Sequence, residues 1–294
     1  MTSKFKTFLL LALLSGLILF MGQLFGGRSG LMIALVIALV MNVGSYWFSD
    51  KIVLAAYKAR EVAPEESPML HKIVEELARE AGVPKPRICV IPEEAPNAFA
   101  TGRDPQHAVV AVTQGLMRLL SPQELRGVLA HEMGHVVNRD ILIQSVASVL
   151  ATVVMYLANM LQFAAIFGGG RRDEEGGGGG AFGVVAGLLM AVLAPIAASL
   201  IQFAISRSRE YLADATGARL SHSPESLASA LAKLDGYSRQ IPMQSATPQT
   251  ANMFIVSPFA GLRGGVTNLF TTHPPIQDRI ARLQQMARTG SYNA

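Results

Sequence analysis

Charge is unevenly spread along the chain, and its gaps predict the first elements. After Lys4 and Lys6 no charged residue occurs from Thr7 to Gly27, and after Arg28 none occurs from Ser29 to Ser49. Two apolar stretches of about 20 residues each match the thickness of a bilayer core, so residues 1–49 are expected to form a transmembrane hairpin. A cleaved signal peptide would begin similarly, but no clear small-x-small site closes the run. Residues 50–140 are mixed in polarity. Leu70, Ile73, Val74, Leu77, Ala78 and Ala81 recur at helical spacing behind Ser67-Pro68, and Gly82 with Pro84 ends that helix. Ile88 to Ile91 and Ala108 to Thr113 read as strands, with Asn97 to Gly102 between them as a loop or irregular edge strand. Ser121-Pro122-Gln123-Glu124 is a capping box that opens another helix.

That helix runs into a further uncharged region, 141 to 170, and is expected to continue as a third span, although Gln144, Asn159 and Gln162 are unusual there. A Gly-rich loop follows at 168–180, with no Gly-Lys-Ser/Thr that would make it a phosphate cradle. A fourth uncharged run, 176 to 206, carries Pro195 and should kink there. Residues 207–294 are soluble in character, with a helix start at Ser223-Pro224 and a last amphipathic helix through Ile276, Ile280, Leu283 and Met286. The expectation is a mainly helical α+β integral membrane protein with about four transmembrane helices. Hairpins at 1–49 and 141–206 alternate with two halves of a soluble domain, 50–140 and 207–294. Lys and Arg crowd the span ends on the side of both termini, so the positive-inside rule places the soluble halves and both termini in the cytoplasm.

Composition agrees with lipid contact: half of the 294 residues are apolar and only 16% are charged. A net charge of +4 without basic runs or basic-aromatic interleaving argues against nucleic-acid binding. The single cysteine, Cys89, allows no internal disulfide and lies in an apolar run, where it reads as a core residue.

The chemistry concentrates in His131-Glu132-Met133-Gly134-His135. Histidines at i and i+4 share one helical face and can reach one metal ion, while Glu132 is placed to deprotonate a water held there. The bland alternative is a helix with two surface histidines. Gly134 lowers helix propensity by about 1 kcal/mol, so a close backbone approach is a candidate reason for it. Zinc, one per chain, is the expected ion, and two histidines need a third protein ligand. Glu210, in Ser206-Arg207-Ser208-Arg209-Glu210, is the best candidate, with Asp214 one turn later placed to accept a hydrogen bond from a ligand histidine. A solvated acidic face paired with Arg207 or Arg209 is the competing explanation. His71, His107 and His222 show no ligand spacing.

The histidine motif, Ser-Arg-x-x-Glu-x-x-x-Asp, Asn97-Ala98-Phe99-Ala100 and the late His273-Pro274 together resemble the M48 metallopeptidases, over nearly the whole chain to Arg279. The resemblance implies a gluzincin-like domain at the bacterial inner membrane that hydrolyses misfolded or misassembled membrane and membrane-proximal polypeptides. It implies His131, His135 and Glu210 as zinc ligands, Glu132 as general base and Asp214 as an orienting partner. It further implies a substrate cleft along Asn97, Ala98, Phe99 and Ala100, where an extended substrate adds as a strand. His273 and Arg279 resemble positions that polarise or brace the scissile carbonyl, though a histidine before two prolines is equally at home in a turn.

Rival readings remain. An intramembrane protease would use a similar helix with an aspartate motif such as Leu234-Asp235-Gly236, yet charged residues flank both segments here. A scaffold or chaperone with structural zinc would close its site with four protein ligands. A metal transporter would need ionisable residues within its spans.

Overall fold

A computed structural model of the chain describes residues 3–167, 193, 195–196, 199, 207–241, 243, 245–258 and 274–292. The Gly-rich loop 168–180, most of the fourth uncharged run and His273 lie outside these residues.

Helix α1 (Ser3–Ala56) is two arms joined at Gly27, whose φ of 54° and ψ of −139° break the helix. Asn42 donates from Nδ2 to Ser15 Oγ at 2.8 Å, tying the returning arm to the first. The second arm, Gly26–Ala56, is long and apolar enough to cross a membrane; Phe5–Phe20 is a shorter apolar helix. Among the described residues no further straight helix meets that standard; Pro122–Val137 and Ile141–Tyr156 meet it only when taken together across their bend, and the fourth expected run lies mostly outside the described residues.

Beyond the hairpin come β1 (Arg60–Glu61), α2 (Pro68–Ala81), β2 (Arg87–Ile91), β3 (Ala98–Thr101) and β4 (Val109–Thr113). The sheet order is β1-β2-β4-β3, with β2 parallel to β4 and β3 antiparallel to β4 at the edge, Phe99 opposite Ala111. Of the stretch 97–102, open between loop and strand in the sequence, Ala98–Thr101 forms an edge strand. Short α3 (Gln114–Leu119) leads to α4 (Pro122–Val137), which is buried on nearly every side by Leu125, Val128, Leu129, Met133 and Val136. Such all-round burial explains why its sequence lacks a clean polar stripe.

The capping box at the start of α4 forms as expected. Ser121 Oγ accepts from the Glu124 amide at 3.3 Å, and Glu124 accepts from the Ser121 amide at 2.9 Å. Glu124 also receives Ser229 Oγ–H at 2.7 Å and Lys233 Nζ at 2.8 Å. Burial alone would raise its pKa, but these donors prevail and hold it at about 2. Ser67 and Ser223 precede helices with proline in the first turn, yet neither side chain makes a capping bond.

The continuous helix expected from α4 into the membrane is not what forms. α4 ends at Val137, Arg139 adopts a φ of 57°, and α5 (Ile141–Phe167) leaves with its first part bent 89° from α4. No glycine or proline marks this break. Its cause is tertiary: Leu142, Ile143, Val146, Leu150 and Val154 of α5 bury against Leu10 and Leu14 of α1. The chain then supplies α6 (Arg207–Ser221), α7 (Pro224–Ser238) and α8 (Ile276–Thr289). Helices α6 and α7 pack on α4, and α8 packs on α7 and α6, burying Leu283 and Met286 in the main core.

Candidate metal centre

The site is made where α4 and α6 cross at backbone contact. A Cβ on Gly134 would lie 2.9 Å from Ala213 O, and one on Gly217 would lie 2.8 Å from the His131 amide nitrogen. Glycine at both positions lets the helices approach closely, which accounts for the helix-weakening residue between the two histidines. Both histidines and Glu210 are thereby brought to one point. His131 Nε2 and His135 Nε2 are 3.2 Å apart; Glu210 oxygens stand 3.9 Å from the first and 3.6 Å from the second. One ligand atom from each residue falls within 4.8 Å of the others, and all three residues are buried. Two imidazoles and a carboxylate in that arrangement form a donor set able to hold a divalent cation.

Each histidine presents Nε2 inward because a carboxylate holds its other nitrogen. Asp214 Oδ1 lies 2.9 Å from His131 Nδ1, as the spacing of Glu210 and Asp214 predicts. Asp140 Oδ1 lies 3.1 Å from His135 Nδ1. Asp140 was not anticipated. The left-handed turn at Arg139 folds the chain back so that the Asp140 amide donates to His135 O at 3.2 Å, and its side chain reaches the ring. Burial disfavours a charged His135, but Asp140 outweighs it and carries the imidazole up to about 10. At His131 burial prevails over Asp214 and the pKa falls.

Glu132 differs from its neighbours. It is 1% exposed, and neither carboxylate oxygen has a hydrogen-bond partner of normal geometry among the described residues. Burial pushes its pKa up to about 7; Glu210 adds to the rise, while His135 and the Ala100 amide pull the other way. A buried carboxylate with its pKa near neutrality beside a metal-capable group is equipped to accept a proton near neutral pH.

Arg279, from α8, is fully buried behind the histidines and does not line an open cleft. Its guanidinium grips Asp214 in a fork, Nε to Oδ2 at 2.8 Å and Nη2 to Oδ1 at 2.7 Å, and Nη1 donates to Ile255 O at 2.9 Å. Bidentate geometry of this kind fixes the carboxylate plane. Burial opposes the charge, but Asp214 and Glu210 keep Arg279 protonated with a raised pKa.

The expected substrate edge is present and already engaged. Ala98 and Ala100 turn their backbone groups away from β4. The Ile255 amide donates to Ala98 O at 3.1 Å. Asn97 accepts from the Ala98 amide and donates from Nδ2 to Val256 O at 3.0 Å. Phe99 lies in an aromatic cluster with Tyr57 and Phe254, centroids 5.2–5.8 Å apart. The segment 254–256 therefore covers part of the β3 edge. Nothing in the local sequence of 254–256 signals this, because the pairing spans more than 150 residues.

The remaining candidates fall elsewhere. Asp235 pairs with Arg239 at 2.8 Å and takes no part in the metal-capable group. His71 meets Val62 O, His107 meets Asp104 and His222 meets Glu80. Cys89 is buried, its thiol pushed up to about 11 by burial, which leaves it unreactive.

Comparison with known proteins agrees with this geometry. The model for Peptidase family M48 matches residues 64–287. A protein named Protease HtpX homolog from Syntrophobacter fumaroxidans is 59% identical over 97% of this chain and 100% of its own length. Proteins of the same name from Pyrococcus furiosus and Ralstonia pickettii are 54% and 50% identical, over 96% and 98% of this chain and 95% and 98% of their own lengths. The crystal structure of S. mikatae Ste24p aligns with 95% of this chain, which spans 64% of that one, at a TM-score of 0.50 and 20% identity, a likeness of fold. With the site assembled from both halves of the matched region, the chain belongs to peptidase family M48.

Proposed function

We propose that this peptidase is a zinc-dependent endopeptidase of the bacterial inner membrane, acting at the cytoplasmic face on unfolded or misassembled membrane and membrane-proximal polypeptides. One observation carries the chemistry: three buried donors, His131, His135 and Glu210, converge within 4.8 Å beside the buried carboxylate of Glu132. The donor set fits zinc in kind, two imidazoles and a carboxylate with both rings already oriented by Asp214 and Asp140. Bound there, zinc would supply a Lewis acid for the scissile carbonyl and the attacking water.

The protein groups do the rest. Glu132 takes the proton of the attacking water and passes it to the leaving amine nitrogen. Burial holds its pKa near 7, and a cation close by would lower it, leaving the base ionised at neutral pH. Asp214, held by Arg279, and Asp140 keep the histidine rings in register. The outward-facing backbone of Ala100, whose amide lies against Glu132, would offer the substrate backbone a strand partner through its carbonyl. Backbone pairing tolerates varied side chains, which supports a quality-control role over a single fixed target. Gly26–Ala56 supports membrane anchoring, and the cation-rich span ends support the cytoplasmic orientation. The uncharged run 176–206 supports a second hairpin.

The test is Glu132→Gln in full-length protein purified in detergent and loaded with zinc. The variant should bind about one zinc per chain, as the wild type does, while cleavage of an unfolded model substrate falls by about 10²–10⁴-fold. Equal cleavage by both proteins would assign the activity to another group. Zinc bound with no cleavage by either would favour a structural metal in a scaffold.

A further inference from the structure

Away from the metal centre the described residues line an open cavity of about 470 Å³, where the apolar arm of α1 meets the starts of β2 and β4. Its place along the membrane normal follows from the sequence. The uncharged run ends at Ser49, and Asp50 with Lys51 are the first charged residues after it. Trp47, flanked by exposed Tyr46 and Phe48, therefore lies at the level where hydrocarbon gives way to headgroups. Lys51, Lys85, Arg87 and Arg103 all line the cavity against one carboxylate, Asp50.

The four cations are not equivalent. Arg87 is shared between Asp50 at 3.5 Å and Glu61 at 3.1 Å, and Lys85 is held by Glu75 at 2.9 Å. Arg103 lies over the Trp47 ring, 4.8 Å from its centroid, with Asp104 3.6 Å from Nε and His107 Nε2 2.5 Å from Nη2, while Asp104 is itself bonded twice to His107. Lys51 sits over Phe48 at 5.4 Å and makes no ion pair among the described residues. A guanidinium stacked on a ring presents the N–H groups not already engaged, here those of Nη1, edge-on, the geometry that suits phosphate oxygens. Beside the cavity, Leu39, Val40 and Val43 of α1 expose an apolar face that acyl chains would cover.

We propose that this cavity seats the phosphate headgroup of an anionic glycerophospholipid, with Arg103 and Lys51 as its ligands and α1 as the rail for its acyl chains. Free phosphate offers the same oxygens but nothing to lie along α1.

Trp47 is the only tryptophan in the chain, so the site carries its own reporter. Full-length protein in nanodiscs of mixed lipids would be titrated with brominated-chain phosphatidylglycerol or phosphatidylcholine, reading quenching of Trp47. The wild type should favour the anionic lipid by about fivefold to tenfold, about what one cation near the surface contributes or slightly more. Lys51→Gln with Arg103→Gln should bring the two lipids level, while Arg103→Lys should keep part of the preference, showing that charge and not folding is at issue. Equal quenching in the wild type, or a preference that survives the double variant, overturns the proposal. Loss of the preference on adding 10 mM inorganic phosphate at constant ionic strength would overturn it too, leaving an anion site without a lipid.

Discussion

The close crossing of α4 and α6 makes Gly134→Ala the most exacting test of this site. The added Cβ would stand 2.9 Å from Ala213 O and 3.1 Å from Ala213 Cα, both backbone atoms that no rotamer change can move. Carbon contacts settle at about 3.5–4.0 Å, so the helices must separate locally by about 0.5 Å. Overpacking of that kind costs about 1–3 kcal/mol, offset by about 1 kcal/mol of helix propensity regained. The larger effect falls on the metal, since α4 supplies His131 and His135 while α6 supplies Glu210. A coordination sphere tolerates about 0.2 Å, so zinc affinity should fall by at least about tenfold. Chelator competition measures the affinity, and thermal unfolding of the metal-free protein measures the packing cost. Gly217→Ala attacks the same crossing from α6, with its Cβ 2.8 Å from the His131 amide nitrogen, and should behave alike. Gly236→Ala in α7 is the control, because a Cβ there meets nothing within 4 Å and should stabilise by up to about 1 kcal/mol. If Gly134→Ala instead tracks Gly236→Ala in both assays, the crossing does not set the metal site and the packing argument is wrong.

Other consequences are as direct. Asp140→Asn should weaken zinc binding by about 10–100-fold with little loss of helix by circular dichroism; unchanged affinity would reduce the 3.1 Å contact to coincidence. Glu124 is held near pKa 2 when folded and returns to about 4.3 when unfolded, so its stabilisation is present above about pH 4.3 and lost as pH falls toward 2. Glu124→Gln should cost about 1–2 kcal/mol at pH 7, discounted for half-exposed Lys233, and should flatten unfolding curves between pH 4.3 and 2. Cleavage should rise with pH along a single ionisation at or below pH 7 as Glu132 loses its proton; a limb well above 7 would point to a different base. Asn97→Ala should speed hydrogen exchange at the Ile255 and Val256 amides, and no change there would mean that Asn97 does not hold this segment.

Much of the centre was legible because its chemistry is written in short spacings. The histidines and the Glu210–Asp214 pair each share a helical face, and the capping box at Ser121 is local enough to read directly. Gly134 signalled a close approach, although its partner, Ala213, could not be named. Asp140 escaped notice because nothing in Val137-Asn138-Arg139-Asp140 announces a turn; Arg139 takes a positive φ that non-glycine residues rarely adopt. With hindsight, an aspartate five residues after His135, just before a long uncharged helix, was the available signal. The covering of β3 by 254–256 and the inward grip of Arg279 on Ile255 were out of reach, since they join segments whose contacts depend on the finished fold.

The division of the ligands between α4 and α6 also bears on when the enzyme can act. A ribosome that has delivered His131 and His135 must still synthesise the long apolar stretch before Glu210, and Arg279 follows 69 residues after that. Until then the growing chain holds two metal donors and the candidate base but no third ligand. A protease whose cutting centre closes only after its own hydrophobic segments have been made is silent during its insertion, when it and its unfolded neighbours would be easiest to cut.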